Sequence, residues 1–250
     1  MDQSRREFVK TVGVLVPVGL APSAVTAAEP AQPAARTQAA PAPSAVERPL
    51  YVFFNAAEAD FIEAAVERLI PADETGPGAL QAGVTNYLDK QLGGAWGAGE
   101  RLYRSGPWQP GAPTQGYQLP FTPAELFHVA IRAINTSFEK QGTTFSALSV
   151  EQQDAYLKSL ESGSDDLDGV PAKEFFSMLL KMTVEGYFAD PVYGGNKDMA
   201  AWKMIGFPGA YADYYTAIDR HGIKFEREPM SLASDARGHI HVNPNIPASI

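Results

Sequence analysis

Residues 54–73 read Phe54-Asn55-Ala56-Ala57-Glu58-Ala59-Asp60-Phe61-Ile62-Glu63-Ala64-Ala65-Val66-Glu67-Arg68-Leu69-Ile70-Pro71-Ala72-Asp73. Phe61, Ile62, Ala65, Val66, Leu69 and Ile70 recur at helical spacing, so one face is apolar. Asn55 is placed to cap the first turn, and Glu58 to reach back to it. Pro71 stops the helix. The same pattern continues down the chain. Leu80, Val84, Tyr87, Leu88 and Leu92 predict a helix over 79–92, ended by Gly93-Gly94. Thr122-Pro123-Ala124-Glu125 opens another, with Pro in its first turn. Ser149-Val150-Glu151-Gln152 opens a shorter one carrying Tyr156, Leu157 and Leu160. Pro171 opens a helix whose Phe175, Phe176, Met178, Leu179, Leu180, Met182, Val184, Tyr187 and Phe188 are apolar on more than one side, which predicts a central position. Shorter helical stretches follow over 197–205 and 209–220, and His221-Gly222 closes the last. There is no clear β alternation and no internal repeat. The predicted fold is all-α: a single irregular helical domain over 49–222, with long loops and extended termini.

Working outward, residues 93–120 hold Trp96, Trp108 and Tyr117 among glycines and prolines. A loop this long in a compact domain is usually functional or docked, and its aromatic content favours docking. Residues 223–250, with Pro229, Pro244 and Pro247, read as an extended, solvent-facing tail. Residues 29–48, with Pro30, Pro33, Pro41 and Pro43, read as a flexible, partly polyproline linker.

The first 28 residues read as an address. Arg5-Arg6, then Phe8 and Lys10, precede a mildly apolar run from Thr11 to Leu20 and a small-residue end at Thr26-Ala27-Ala28. That is the layout of an export signal, and the paired arginines resemble the twin-arginine type, which exports folded proteins. The run is too short to span a bilayer comfortably, which takes roughly 20 residues. The expected location is periplasmic, and the expected first partner is the twin-arginine translocase. Such a route suggests that the chain holds a cofactor or accompanies a folded partner that holds one.

Composition narrows the chemistry. The 250 residues include no cysteine, which excludes disulfides, thiolate catalysis, Cys-ligated clusters and covalent haem attachment. Asp plus Glu is 29 against 20 for Lys plus Arg, a formal charge of −9. A chain this acidic repels phosphates at long range, so nucleic acid is not an expected partner.

Candidate catalytic groups are sparse. His239 and His241 sit in the proline-containing tail without a fixed third ligand. His128 reads as a half-buried helix histidine, and His221 sits at a helix end where its cation suits the dipole. Glu174 and Glu185 share the central helix at a rise of ~16 Å, beyond the ~5–9.5 Å of paired glycosidase carboxylates. Asp165, Asp166 and Asp168 lack the downstream Glu of a calcium loop and read as a solvated turn. No nucleophile elbow, dinucleotide fingerprint or P-loop is present.

One segment stands apart: Asp190-Pro191-Val192-Tyr193-Gly194-Gly195-Asn196, followed by Trp202 and Ile205-Gly206-Phe207-Pro208-Gly209-Ala210-Tyr211. Gly194-Gly195-Asn196 suits a sharp turn. Trp202, Phe207 and Tyr211 are large side chains of the kind that anchor interfaces. Two readings stand at this point, the terminal core of the domain or a shaped surface for a partner. On the second, the face comprises Tyr193, Gly194, Gly195, Asn196, Trp202, Phe207, Pro208 and Tyr211.

With the twin-arginine signal and the helix at 54–73, these two motifs resemble the small (gamma) subunit family of gluconate 2-dehydrogenase and related membrane-bound sugar dehydrogenases, over about residues 50–221. The resemblance implies a subunit with no cofactor and no catalytic residues of its own. It implies a flavoprotein partner that bears FAD and lacks a signal, carried through the twin-arginine exporter by this subunit. It also implies a multihaem cytochrome c subunit, with haem c, that passes electrons toward quinone, and inner-membrane association through these partners. Two alternatives are a carboxylate-dependent periplasmic hydrolase and a stand-alone carbohydrate-binding protein that stacks sugars on Trp96, Trp108 and Trp202.

Overall fold

The fold is organised around the helix that follows Pro171. In the computed structural model, described residues are 50–109, 111–112, 115, 118–163, 165–223 and 226–234. The export signal (Arg5, Arg6, Phe8), the linker, Tyr117, His239 and His241 lie outside them. The helices are α1 (Ala56–Leu69), α2 (Val84–Leu92), α3 (Pro123–Glu139), α4 (Val150–Ser162), α5 (Ala172–Phe188) and α6 (Ala200–Ile205). Short 3-10 turns lie at Phe145–Ala147, Pro191–Tyr193, Lys197–Met199 and Ala212–Ala217. The mostly helical fold read from the sequence is the one observed.

Three helix starts are capping boxes. Asn55 with Glu58, Thr122 with Glu125, and Ser149 with Gln152 exchange side-chain and backbone hydrogen bonds. Each satisfies N–H donors that the first helical turn leaves open.

Helix α5 packs against α1, α2, α3 and α4. Its Phe175, Leu179 and Met182 are buried. Phe175 meets Phe127 of α3 at 5.3 Å between ring centroids, edge to face, and Phe61 of α1 at 6.2 Å. Phe61 in turn meets Phe145 at 4.9 Å. Each such side chain gains roughly 1.5–3 kcal/mol from leaving water, so this aromatic chain fixes how α1, α3 and α5 sit. At the edge, Arg68 of α1 makes a two-pronged bond to Asp154 of α4, at 2.8 and 3.2 Å. Tyr156 packs on Phe138 and Phe145, and burial pushes its phenol up to about 12.

The stretch before α1 is also pinned. The buried carboxylate of Asp89 on α2 accepts the N–H groups of Val52, Phe53 and Phe54 at 2.9–3.0 Å. Phe53 stacks on His128 of α3 at 4.1 Å, and His128 Nδ1 lies 2.7 Å from Glu58 Oε1. Tyr51 donates to Glu63, and burial, reinforced by that carboxylate, raises its phenol pKa.

Three local expectations change. The second helix begins at Val84, not residue 79, because Gly83 turns left-handed at φ 77° and so ends the preceding turn, leaving the Ala82 carbonyl to accept from Lys197 N–H at 2.9 Å. A two-residue antiparallel hairpin, β1 (Asp166–Leu167) with β2 (Val170–Pro171), occupies the acidic turn before α5. Its Asp168-Gly169 corner is left-handed at both residues, with φ of 54° and 93°, the geometry of a type I′ turn. Thirdly, the described part of the stretch read as a solvent-facing tail is docked: Met230 pairs with Pro208 and Ala210 through backbone hydrogen bonds of 3.1 and 2.7 Å, and residues 231–234 close a turn in which Ser234 N–H donates to Ser231 O at 3.1 Å.

Candidate partner interface

After α5 ends, the chain folds into a tight joint. Asp190 caps the Pro191–Tyr193 turn by accepting Val192 N–H at 3.0 Å. Gly194 is left-handed, φ 99°, and its carbonyl accepts from Asn86 Nδ2 of α2 at 2.9 Å. Gly195 lies against the Gly186 carbonyl of α5 so closely that a methyl group there would collide with backbone. This double-glycine step therefore rests on both α2 and α5.

Asn196 is 0 % exposed and locks the joint. Its Nδ2 donates to Ala189 O and its Oδ1 accepts from Ala201 N–H, both at 2.9 Å. One amide thus ties the end of α5 to the start of α6. The cost is visible in the backbone. Asn196, Asp198 and Met199 are left-handed, with φ of 45°, 57° and 54°. Asn and Asp tolerate that region through local hydrogen bonding, whereas Met has no such compensation.

Trp202 continues the joint inward. It is 6 % exposed, and its indole N–H donates to Phe188 O at 2.8 Å. Phe207 stands edge to face on it at 5.1 Å. Pro208 and Tyr211 are half-buried; Tyr211 donates to Glu228 O at 2.8 Å and lies beneath the Arg227 guanidinium at 4.8 Å.

The eight residues of the predicted face thus occupy one joint but divide by role. Asn196, Gly195 and Trp202 are buried in it. Tyr193 at 50 % and Phe207 at 45 % exposure present rings to solvent. Val184, Phe188, Met204 and Ile205 are likewise exposed on α5 and α6. The sequence places Val184 and Phe188 on the apolar central helix, Met204 in the short helical stretch over 197–205 and Ile205 at the head of the second motif without assigning any of them to the face, because only the tertiary fold tells which helix face lacks a neighbour. Asp190 opens the first motif in the sequence without being assigned to the face, and its position before Pro191 is the signal of the capped turn it makes. Phe188, Trp202 and Phe207 are linked by the contacts just described, so exposed apolar side chains sit on a rigid support.

Elsewhere the described residues offer little for catalysis. The long loop curls over 94–101 and is tied to α3 by Ala124 N–H donating to Gly97 O at 3.0 Å. Tyr103, Arg104, Trp108 and Phe121 line a depression of about 100 Å³ beside it, well under the ~300–1,000 Å³ of typical ligand sites. Glu174 and Glu185 are exposed on α5. Among the described residues no three His, Asp or Glu side chains converge to hold a metal ion, and no helix is long and apolar enough to cross a membrane. Trp202, being buried, shares no stacking surface with Trp96 and Trp108.

No curated protein and no solved structure matches the chain. One family does: that described as gluconate 2-dehydrogenase subunit 3 matches residues 56–209. The match runs from the first residue of α1 to the last glycine of the joint, and so spans every helix described above. By that match over more than half its length, the chain belongs to the gluconate 2-dehydrogenase subunit 3 family.

Proposed function

We propose that this chain is a non-catalytic accessory subunit of a periplasmic, membrane-associated flavin-dependent dehydrogenase, which grips the FAD-bearing catalytic subunit and carries it through the twin-arginine exporter. Family membership supports a place in a multisubunit dehydrogenase. The observation that carries the docking role is the joint after α5, where buried Asn196 and Trp202 hold Tyr193, Ile205 and Phe207 in fixed positions facing solvent. Rigid aromatic anchors on a pre-organised support bind with little ordering cost. Electrons pass from the flavin to a multihaem cytochrome c subunit and not through this chain. The Arg5-Arg6 pair with Phe8 supplies the export address for both proteins.

The test is co-expression with a flavin-bearing dehydrogenase subunit that lacks an export signal. Arg5→Lys with Arg6→Lys is expected to leave both proteins in the cytoplasm. Continued export of the flavoprotein in that double variant removes the carrier role. Phe207→Asp with Ile205→Asp is expected to abolish co-purification while leaving the melting temperature within a few degrees of wild type. Retained co-purification places the interface elsewhere.

A further inference from the structure

The family match ends at residue 209, yet the chain returns to the joint beyond it. Met230 pairs across Gly209, Ser231 Oγ donates to Asp190 Oδ1 at 2.6 Å, and Leu232 N–H donates to Asp190 Oδ2 at 2.8 Å. Asp190 therefore uses both carboxylate oxygens to hold residues 41 and 42 positions downstream. Ser231 is buried by this arrangement. Leu232 is not: it is 68 % exposed although its backbone is fixed. Ordering such a segment costs roughly 1–2 kcal/mol of backbone entropy per residue, and an exposed leucine at its turn adds no burial of its own to offset that.

We propose that residues 226–234 form a clasp that completes the docking face, with Leu232 as an added apolar anchor for the catalytic subunit. The inference rests on the docking role proposed above and extends that surface beyond the matched span. Continuity supports it. Asp190, which holds the clasp, follows exposed Phe188 by two residues. Gly209, against which Met230 lies, also abuts the Trp202 ring that carries Phe207. The occupant that fits is an apolar patch of the large subunit without a charge opposite Leu232, since interface centres are depleted of charge.

The experiment uses the full chain co-expressed with the flavin-bearing subunit, capturing on a tag and reading bound flavin by absorbance. Leu232→Asp is expected to weaken the complex about tenfold or more, the loss expected when an apolar side chain is no longer buried, with an unchanged melting temperature. Ser231→Ala, which releases one of the two hooks, is expected to weaken it in the same direction. Unchanged affinity in Leu232→Asp overturns the proposal. So does tighter binding in Ser231→Ala, which would make the clasp a cover rather than a contact. Phe207→Asp separates the two ideas. If it weakens capture while Leu232→Asp does not, only the clasp fails; if wild type captures no flavoprotein, the docking role fails and the clasp with it.

Discussion

Replacing Asn196 by Ala separates the joint from the surface it supports. The substitution removes two hydrogen bonds of 2.9 Å. The Ala201 N–H is then buried without a partner, which costs about 1–3 kcal/mol, while the half-exposed Ala189 carbonyl loses about 0.5–1.5 kcal/mol. Alanine at φ 45° adds about 1 kcal/mol of left-handed strain. The total, about 2.5–5.5 kcal/mol, corresponds to a fall of roughly 5–22 °C in melting temperature for a domain of this size. Asn196→Gly loses the same bonds but not the strain, so it should recover about 1 kcal/mol. Thermal and urea melts of the three proteins, followed by circular dichroism, measure both differences. An alanine variant that melts within about 2 °C of wild type but no longer captures the flavoprotein would refute the reasoning, because Asn196 would then be a contact and not a lock.

Gly195→Ala puts a methyl group against the Gly186 carbonyl and is expected to destabilise by about 2 kcal/mol or more, since backbone on both sides must move; a urea melt checks it. Asp89→Ala orphans three backbone N–H groups and should expose residues 50–54 to limited proteolysis well below the global melting temperature. Stability should fall on acidification below about pH 4.5. Backbone N–H of Thr122 chiefly holds the Glu125 carboxyl below its usual range, its own backbone and the Ser149 hydroxyl do so for Glu151, and the Thr75 hydroxyl does so for Asp73. In each case the unfolded chain binds the proton more tightly than the folded one, so the stabilisation is present above that range and lost as pH falls through it. Melts at pH 7, 5, 4 and 3 should show this, and Glu125→Gln should flatten part of the dependence.

The sequence alone determined the helical class and the starts of α1, α3, α4 and α5, because capping boxes at the first three, Pro171 at the fourth and a 3.6-residue apolar period are local codes. It also located the joint at 190–211, since Gly-Gly-Asn and clustered aromatics are unusual in a helix-rich chain. The hairpin before α5 was legible in Asp168-Gly169 but was read as a solvated turn, because two-residue strands carry almost no alternation.

Only the tertiary structure decided which aromatic residues of the joint are core and which face outward. Trp202 and Phe207 lie five residues apart with similar side chains, yet one is buried and the other presents its ring to water. That division depends on the end of α5 and Gly209 meeting at Trp202, with Met230 paired to Gly209 from a segment some forty residues beyond α5. The Asp190 hooks and the Asp89 pin belong to the same class. A carboxylate announces its charge in the sequence, but the N–H groups it will hold are named only once the chain has folded around it.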